Sequence, residues 1–208
     1  MQATVNRSVV LADVIGLNEG VARWVKNFLL IAVGVAALWI SAKTQIATWP
    51  VPITLQVLVV MAIGAAFGSS LGFATLLTYL AVGAAGEPVF AGTPEKGIGL
   101  AYMVGPTGGY LLGFALAAWV VGWLAERGFD RNVFTMAAAM VIGLLVLYIP
   151  GVTWLCSPAG FAETYGFSGY GWENWYAYGV KTFIWVDAIK VSIAALVFPA
   201  IWSLIGRR

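Results

Sequence analysis

Asp187 and Lys190 stand three positions apart inside the last apolar stretch of this 208-residue chain. On a helix that spacing puts both on one face, close enough to touch. A charge inside a membrane-spanning segment costs roughly 2.5–3.5 kcal/mol on insertion scales, so two of them demand an explanation. One explanation is mutual neutralisation that only packs the helix into its bundle. The other is a polar pocket. There Asp187 accepts hydrogen bonds from N–H groups, and Lys190 attracts a carboxylate or donates to a carbonyl. Both residues fall in the outer half of the stretch, which favours a site open to the exterior.

Three further constellations carry possible chemistry. From Glu87 to Tyr110 the chain reads EPVFAGTPEKGIGLAYMVGPTGGY. Thr107 suits the N-cap of a helix starting at Gly108, and glycines there let the backbone approach a ligand closely. An exposed helix N-terminus is a ready anion site, although a plain turn re-entering the membrane explains the same glycines. Phe90, Tyr102 and Tyr110 offer apolar walls, or simply packing. The loop from Trp154 to Tyr178 interleaves nine aromatic residues with glycines. It suits a lid over an apolar ligand, and equally a belt lying among lipid headgroups. In the first apolar stretch Ala32 and Ala36 are four apart, as are Ala37 and Ser41. Such small-residue faces let helices approach closely, within this chain or against a partner membrane subunit.

Other chemistry is excluded by composition. The chain has no histidine, which removes histidine triads, histidine-ligated zinc and histidine proton relays. Its single cysteine, Cys156, cannot form an internal disulfide. Gly179-Val180-Lys181-Thr182 lacks the upstream glycine spacing of a phosphate-binding loop, so the chain is not expected to hydrolyse ATP by itself. A net charge of +2 supplies no strong field for nucleic acid. An intramembrane enzyme with Asp187 as acid or base has no paired aspartate or metal cluster to work with.

The elements that position these residues follow from hydropathy. The chain is 61% apolar and only 10% charged, against about 25% charged in soluble domains. Mean hydropathy is +0.90. This is an all-α integral membrane protein. Six spans are expected, at Trp24–Ala42, Thr54–Gly68, Leu71–Ala85, Gly108–Ala125, Asn132–Ile149 and Gly179–Ile205. The second and third are short and call for shielding by neighbours. Residues 1–23 read as a polar cytoplasmic arm, without the apolar core of a signal peptide, ahead of a membrane domain of residues 24–208. Lysines and arginines test the map. Arg7, Arg23, Lys26, Arg127, Arg131, Arg207 and Arg208 fall on one set of loops; Lys43, Lys96 and Lys181 fall on the other. Seven against three places both termini in the cytoplasm. Trp24, Trp49, Trp123 and Trp202 sit near span ends, as an interfacial belt requires.

At this point the residues resemble a family. Pro50-Val51-Pro52-Ile53-Thr54-Leu55-Gln56 is similar to a segment of the biotin-specific substrate-binding (S) components of energy-coupling factor (ECF) transporters, the BioY family. So are Tyr79-Leu80-Ala81-Val82-Gly83-Ala84-Ala85-Gly86 and Pro88-Val89-Phe90-Ala91-Gly92. The run from Gly105 to Phe114, GPTGGYLLGF, matches most strongly, and Asp187-x-x-Lys190 fits as well. The resemblance spans about residues 50 to 190. It departs at Trp185-Val186, where the family often has Pro-Gly, and at the charged Thr93-Pro94-Glu95-Lys96, where a glycine-rich stretch is expected. Lys96 is then either solvated or a stand-in for a residue placed elsewhere in relatives.

The resemblance implies a six-helix S-component in the cell inner membrane that captures biotin from the exterior and takes no cofactor. It implies a membrane coupling subunit and cytoplasmic ATPases as partners, with Ala32 and Ala36 toward the former. It implies substrate contacts from Asp187, Lys190, Thr107, Gly108, Tyr110, Phe90 and Gln56. An S-component or stand-alone carrier for another small vitamin is the alternative.

Overall fold

Gly108–Ala125 is helical from its first residue to its last, and the rest of the bundle is arranged around it. The computed structural model describes residues 8–17 and 19–206. Arg7, Arg207 and Arg208, three of the seven basic residues used to orient the chain, lie outside the described residues. In chain order the helices are α1 (Leu11–Val14), α2 (Gly20–Lys43), α3 (Gln56–Phe67), α4 (Ser69–Ala84), α5 (Gly99–Met103), α6 (Gly108–Ala125), α7 (Val133–Cys156), α8 (Trp175–Gly179) and α9 (Lys181–Ile205). Four of them, α2, α6, α7 and α9, are long and apolar enough to cross a membrane. Helices α3 and α4 have 12 and 16 residues. At 1.5 Å per residue they reach only about 18 and 24 Å, short of a ~30 Å hydrocarbon core.

Helix α6 is the central one: 67% of its most apolar window is buried, against 22–28% for α2, α7 and α9. Helices α3, α4 and α7 pack on it, and α9 closes on α7 and α3. Close approach comes from glycine. A Cβ on Gly113 would lie 3.0 Å from Leu147 Cα on α7, and one on Gly64 would lie 3.0 Å from Ala118 Cα on α6. Apolar surface supplies little drive between helices in lipid, so backbone-to-backbone contact of this kind carries the association. Turning sharply between α3 and α4 requires Gly68, whose φ is +81°. The start of α4 is capped from across the bundle: Glu126 Oε1 accepts from Ser69 N at 2.7 Å and Ser69 Oγ at 2.8 Å.

Three expectations from the sequence are revised. First, the fifth span does not stop at Ile149. Helix α7 runs through Pro150 to Cys156. Proline removes one backbone hydrogen bond but does not end a helix whose neighbours hold it, and Gly109 and Trp154 pack at this point. The aromatic loop therefore begins at Ser157. It contains two short 3-10 turns, Gly160–Tyr165 and Trp172–Asn174, and then α8. Second, the connection after α2 is not plain loop. Strands β1 (Gln45–Ile46) and β2 (Ile53–Thr54) pair antiparallel, with Gln45 opposite Thr54. Third, the described part of the polar N-terminal arm forms the short helix α1 and packs against the bundle. Val10 and Ala12 are buried in a core cluster with Met61, Val121, Met136, Met140 and Phe198. Ser8 N donates to Glu126 O at 2.7 Å, and Arg131 donates to Val9 O at 2.8 Å. This stretch, the α6–α7 connection and the end of α9 thus meet at one end of the bundle. Asp130 lies there, fully buried. It accepts from Trp202 Nε1, while its Oδ1 has no hydrogen-bond partner among the described residues.

Candidate functional site

At the opposite end, the starts of α3, α6 and α9 and the second half of α7 surround a small cavity. Asp187 is the seventh residue of α9 and Lys190 the tenth, so they share one face of that helix. Lys190 Nζ lies 2.6 Å from Asp187 Oδ1, with side-chain exposures of only 6% and 3%. Tyr148 on α7 donates its hydroxyl to Asp187 Oδ2 at 2.6 Å. Both carboxylate oxygens thus hold a donor, which is what a buried charge needs. Each oxygen keeps a further lone pair for a ligand N–H.

The cavity is lined by Asp187, Lys190, Tyr148, Gln56, Thr54, Thr107 and Tyr110, together with apolar Val51, Pro52, Val57, Leu111, Phe114, Leu147 and Phe183. Gln56, the first residue of α3, donates Nε2–H to Tyr79 Oη at 2.9 Å. Tyr79 passes its own hydroxyl to Val89 O at 2.8 Å. That chain fixes the amide so that its oxygen is left for Thr54 and the cavity. Tyr110 is held by donation to Gly179 O at 2.8 Å and stacks at an angle on Phe183, with centroids 6.3 Å apart. A few polar groups thus converge on a lining that is otherwise apolar and aromatic, the usual composition of a small-molecule site.

The enclosed space is about 50 Å³, well below the roughly 300–1,000 Å³ of typical ligand sites. Admitting a vitamin-sized molecule requires a wall to move. An adjoining pocket of about 80 Å³ shares Pro52, Tyr102 and Thr107 with it and adds Lys96 and Gly105. Both are roofed by the α2–α3 connection. Trp49 on that roof packs edge-on against Tyr170 and Tyr178, each with centroids 5.1 Å away. The long aromatic loop and the α2–α3 connection are thereby joined.

Of the seven residues expected at a substrate site, Asp187, Lys190, Gln56, Thr107 and Tyr110 line this cavity, and Phe90 and Gly108 do not. Phe90 is 1% exposed. Its ring is sandwiched between Tyr79 and Tyr102, with centroids at 5.4 and 5.0 Å. A Cβ on Gly108 would meet Met103 O and lie 2.9 Å from Trp154 Nε1, so this glycine serves helix packing. Thr107 occupies the N-cap position of α6 but makes no side-chain capping bond. Ala32 and Ala36 are exposed on the outer face of α2. Lys96 is exposed, its aliphatic stem lying against Gly92. Tyr148, Thr54, Phe114 and Phe183 were not singled out from sequence. Tyr148 lies 39 positions from Asp187, and nothing in either span's own pattern announces the pairing.

Comparison with known proteins then adds an independent line. The chain matches the BioY family over residues 8–207. A probable biotin transporter BioY of Pyrococcus horikoshii is 35% identical over 83% of this chain and 93% of its own length. The biotin transporter BioY of Thermotoga maritima is 37% identical over 83% of this chain and 91% of its own. Among solved structures, the crystal structure of the S-component for biotin from an ECF-type ABC transporter superposes with a TM-score of 0.71. It covers 89% of this chain and 95% of its own, at 22% identity, so it shows likeness of fold.

Proposed function

This chain belongs to the BioY family, and from that premise we propose how it works as a biotin-capturing membrane subunit of an ECF-type uptake transporter. The observation that carries the reading is the buried Asp187–Lys190 pair with Tyr148 at the base of a cavity walled by aromatic side chains. The ureido ring of biotin presents two N–H donors and one carbonyl. Asp187 accepts from one N–H group, the Gln56 oxygen accepts from the other, and Lys190 donates to the carbonyl. The thioether ring lies against Phe114, Phe183 and Tyr110, where sulfur–aromatic contact is favourable. The acyl chain runs outward to the mouth, where Thr107 and Lys96 read its carboxylate.

Capture begins with separation of the Trp49–Tyr170–Tyr178 contact, which widens the cavity, and ends with its closure over the ligand. The bundle has six crossings, α2, α3, α4, α6, α7 and α9, with both termini in the cytoplasm and the site open to the exterior of the cell membrane. The shared location of the N-terminal stretch and the end of α9 supports an even number of crossings. Arg23, Lys26, Arg127 and Arg131 at that end support its cytoplasmic placement. The chain has no ATP-binding loop, so cytoplasmic ATPases and a membrane coupling subunit supply the energy. The exposed Ala32–Ala36 face of α2 is where the coupling subunit seats. No catalytic step is assigned to any residue.

Uptake of radiolabelled biotin tests the reading. Cells lacking their own biotin transporter are given this chain with, and without, its coupling subunit and ATPases. Concentrative uptake only with the partners is the expected result. Equal uptake from the chain alone would make it a self-sufficient carrier, and uptake of another vitamin in preference to biotin would overturn the substrate.

A further inference from the structure

At the end of the bundle opposite the biotin site, a groove of about 600 Å³ opens between α1, the first half of α2, the end of α3 and the start of α4. That volume is in the range of ligand-holding sites. Its lining is divided by chemistry along α2. Arg23, Lys26 and Asn27 lie near the helix start, with Asp13 and Ser70 completing the polar part. Phe28 and Ile31 lie deeper, facing Leu71 and Ala74 of α4. Lys26 is 7% exposed and donates to Ala12 O at 3.1 Å. Arg23 is exposed and makes no ion pair among the described residues. The polar part of the lining thus carries two basic side chains, Arg23 and Lys26, and one acidic one, Asp13. Its sides are open to hydrocarbon: Trp24 and Phe28 are 70% and 71% exposed.

We propose that this groove binds one anionic phospholipid, with its phosphate held by Arg23 and Lys26 and an acyl chain lying along Phe28, Ile31, Leu71 and Ala74. A phosphodiester anion complements the exposed Arg23 guanidinium, and its hydrocarbon tail matches the apolar depth below it. Basic pockets between membrane helices recognise headgroups in this way. A zwitterionic lipid brings its own cation against Arg23 and is disfavoured. The bound lipid ties α1, whose Ala12 and Asp13 form part of the wall, to α2 and α4. The assignment is independent of the ligand proposed for the outer site.

The purified full chain is placed in mixed detergent micelles and examined by native mass spectrometry and thermal melting. Phosphatidylglycerol, phosphatidylcholine and inorganic phosphate are each added. Retention of one phosphatidylglycerol per chain, at least tenfold over phosphatidylcholine, with a rise in Tm, is expected. Arg23→Gln should lower that retention at least fivefold, and Ile31→Trp should abolish it by filling the groove. Both variants should bind biotin as the parent chain does, which shows that they are folded. Arg127→Gln, a basic residue at the same end outside the groove, should leave retention unchanged. Equal retention of the two lipids, an equal loss in Arg127→Gln, or the same Tm rise from inorganic phosphate alone would overturn the assignment. So would photo-crosslinking from position 31 to a protein, and not to lipid, in native membranes.

Discussion

The ion pair of Asp187 and Lys190 is the costliest local choice in the chain, and its cost indicates its use. A pair that only neutralised itself could be replaced by apolar residues at little loss. Here Tyr148 and Gln56 are oriented around it by their own hydrogen bonds. Asp187→Asn keeps the shape but removes the charge proposed to accept a ureido donor. It should weaken biotin binding more than tenfold in a titration of the purified protein, at least about 1.4 kcal/mol. An unchanged affinity would remove Asp187 from the site. Tyr148→Phe deletes one hydrogen bond to a charged group and should cost about 1.5–3 kcal/mol, partly in stability and partly in affinity.

At the other end, burial pushes the Asp130 carboxyl above its ordinary value of 3.8, outweighing the Trp202 hydrogen bond and Arg131, whose Nε is 3.9 Å away. A carboxyl with a raised folded pKa binds its proton more tightly in the fold than in the unfolded chain. Its contribution therefore falls as pH rises from the unfolded value through the folded one. Asp130→Asn should gain in melting temperature over the parent as pH rises from the ordinary carboxylate value of 3.8, with the advantage shrinking on return toward it. A constant difference across that range would contradict the assignment.

Among the elements, α6 shows how far the sequence could be read. Its ends, Gly108 and Ala125, were legible because Thr107, a glycine pair and an unbroken apolar run all mark them. The end of α7 was not legible. Pro150 is a stop signal in isolation, and only the packing of α6 against it keeps the helix going to Cys156. The same contrast holds at the site. Asp187 and Lys190 stand out because charge is rare inside a span. Tyr148 is hidden because tyrosine near a span end reads as an interfacial anchor. Phe90 sits in a run resembling the family, yet the fold uses it as packing between Tyr79 and Tyr102. Small residues were legible as a class but not by role. Ala32 and Ala36 face outward, whereas Gly109 and Gly113 set the α6–α7 distance. Gly113→Ala would press a methyl onto the Leu147 backbone. It should destabilise by about 1–3 kcal/mol, read as a lowered Tm in detergent. Because Tyr110 and Tyr148 flank that contact, biotin affinity should fall with it.

For the whole molecule, the chain divides its two ends between two tasks. One end holds aromatic walls around a charge pair. The other end gathers the N-terminal stretch, the end of α6, the start of α7 and the end of α9 into one packed cluster. Single cysteines introduced at Ser8 and Ser203, in a Cys156→Ser background, should both react with an impermeant maleimide only after the membrane is opened. Labelling of one in intact cells would contradict an even number of crossings.

The central claim is that this cavity captures biotin. Nanomolar binding needs about −12 kcal/mol. Spread over about 16 heavy atoms that is roughly −0.8 kcal/mol each, within the ceiling for small ligands. Calorimetric titration of the chain purified without biotin or partner subunits tests it most directly, with biotin methyl ester alongside. The account predicts one-to-one binding in the nanomolar range and a large loss with the ester, because Lys96 and Thr107 read the carboxylate. Absence of heat, with no rise in Tm on adding biotin, would contradict it.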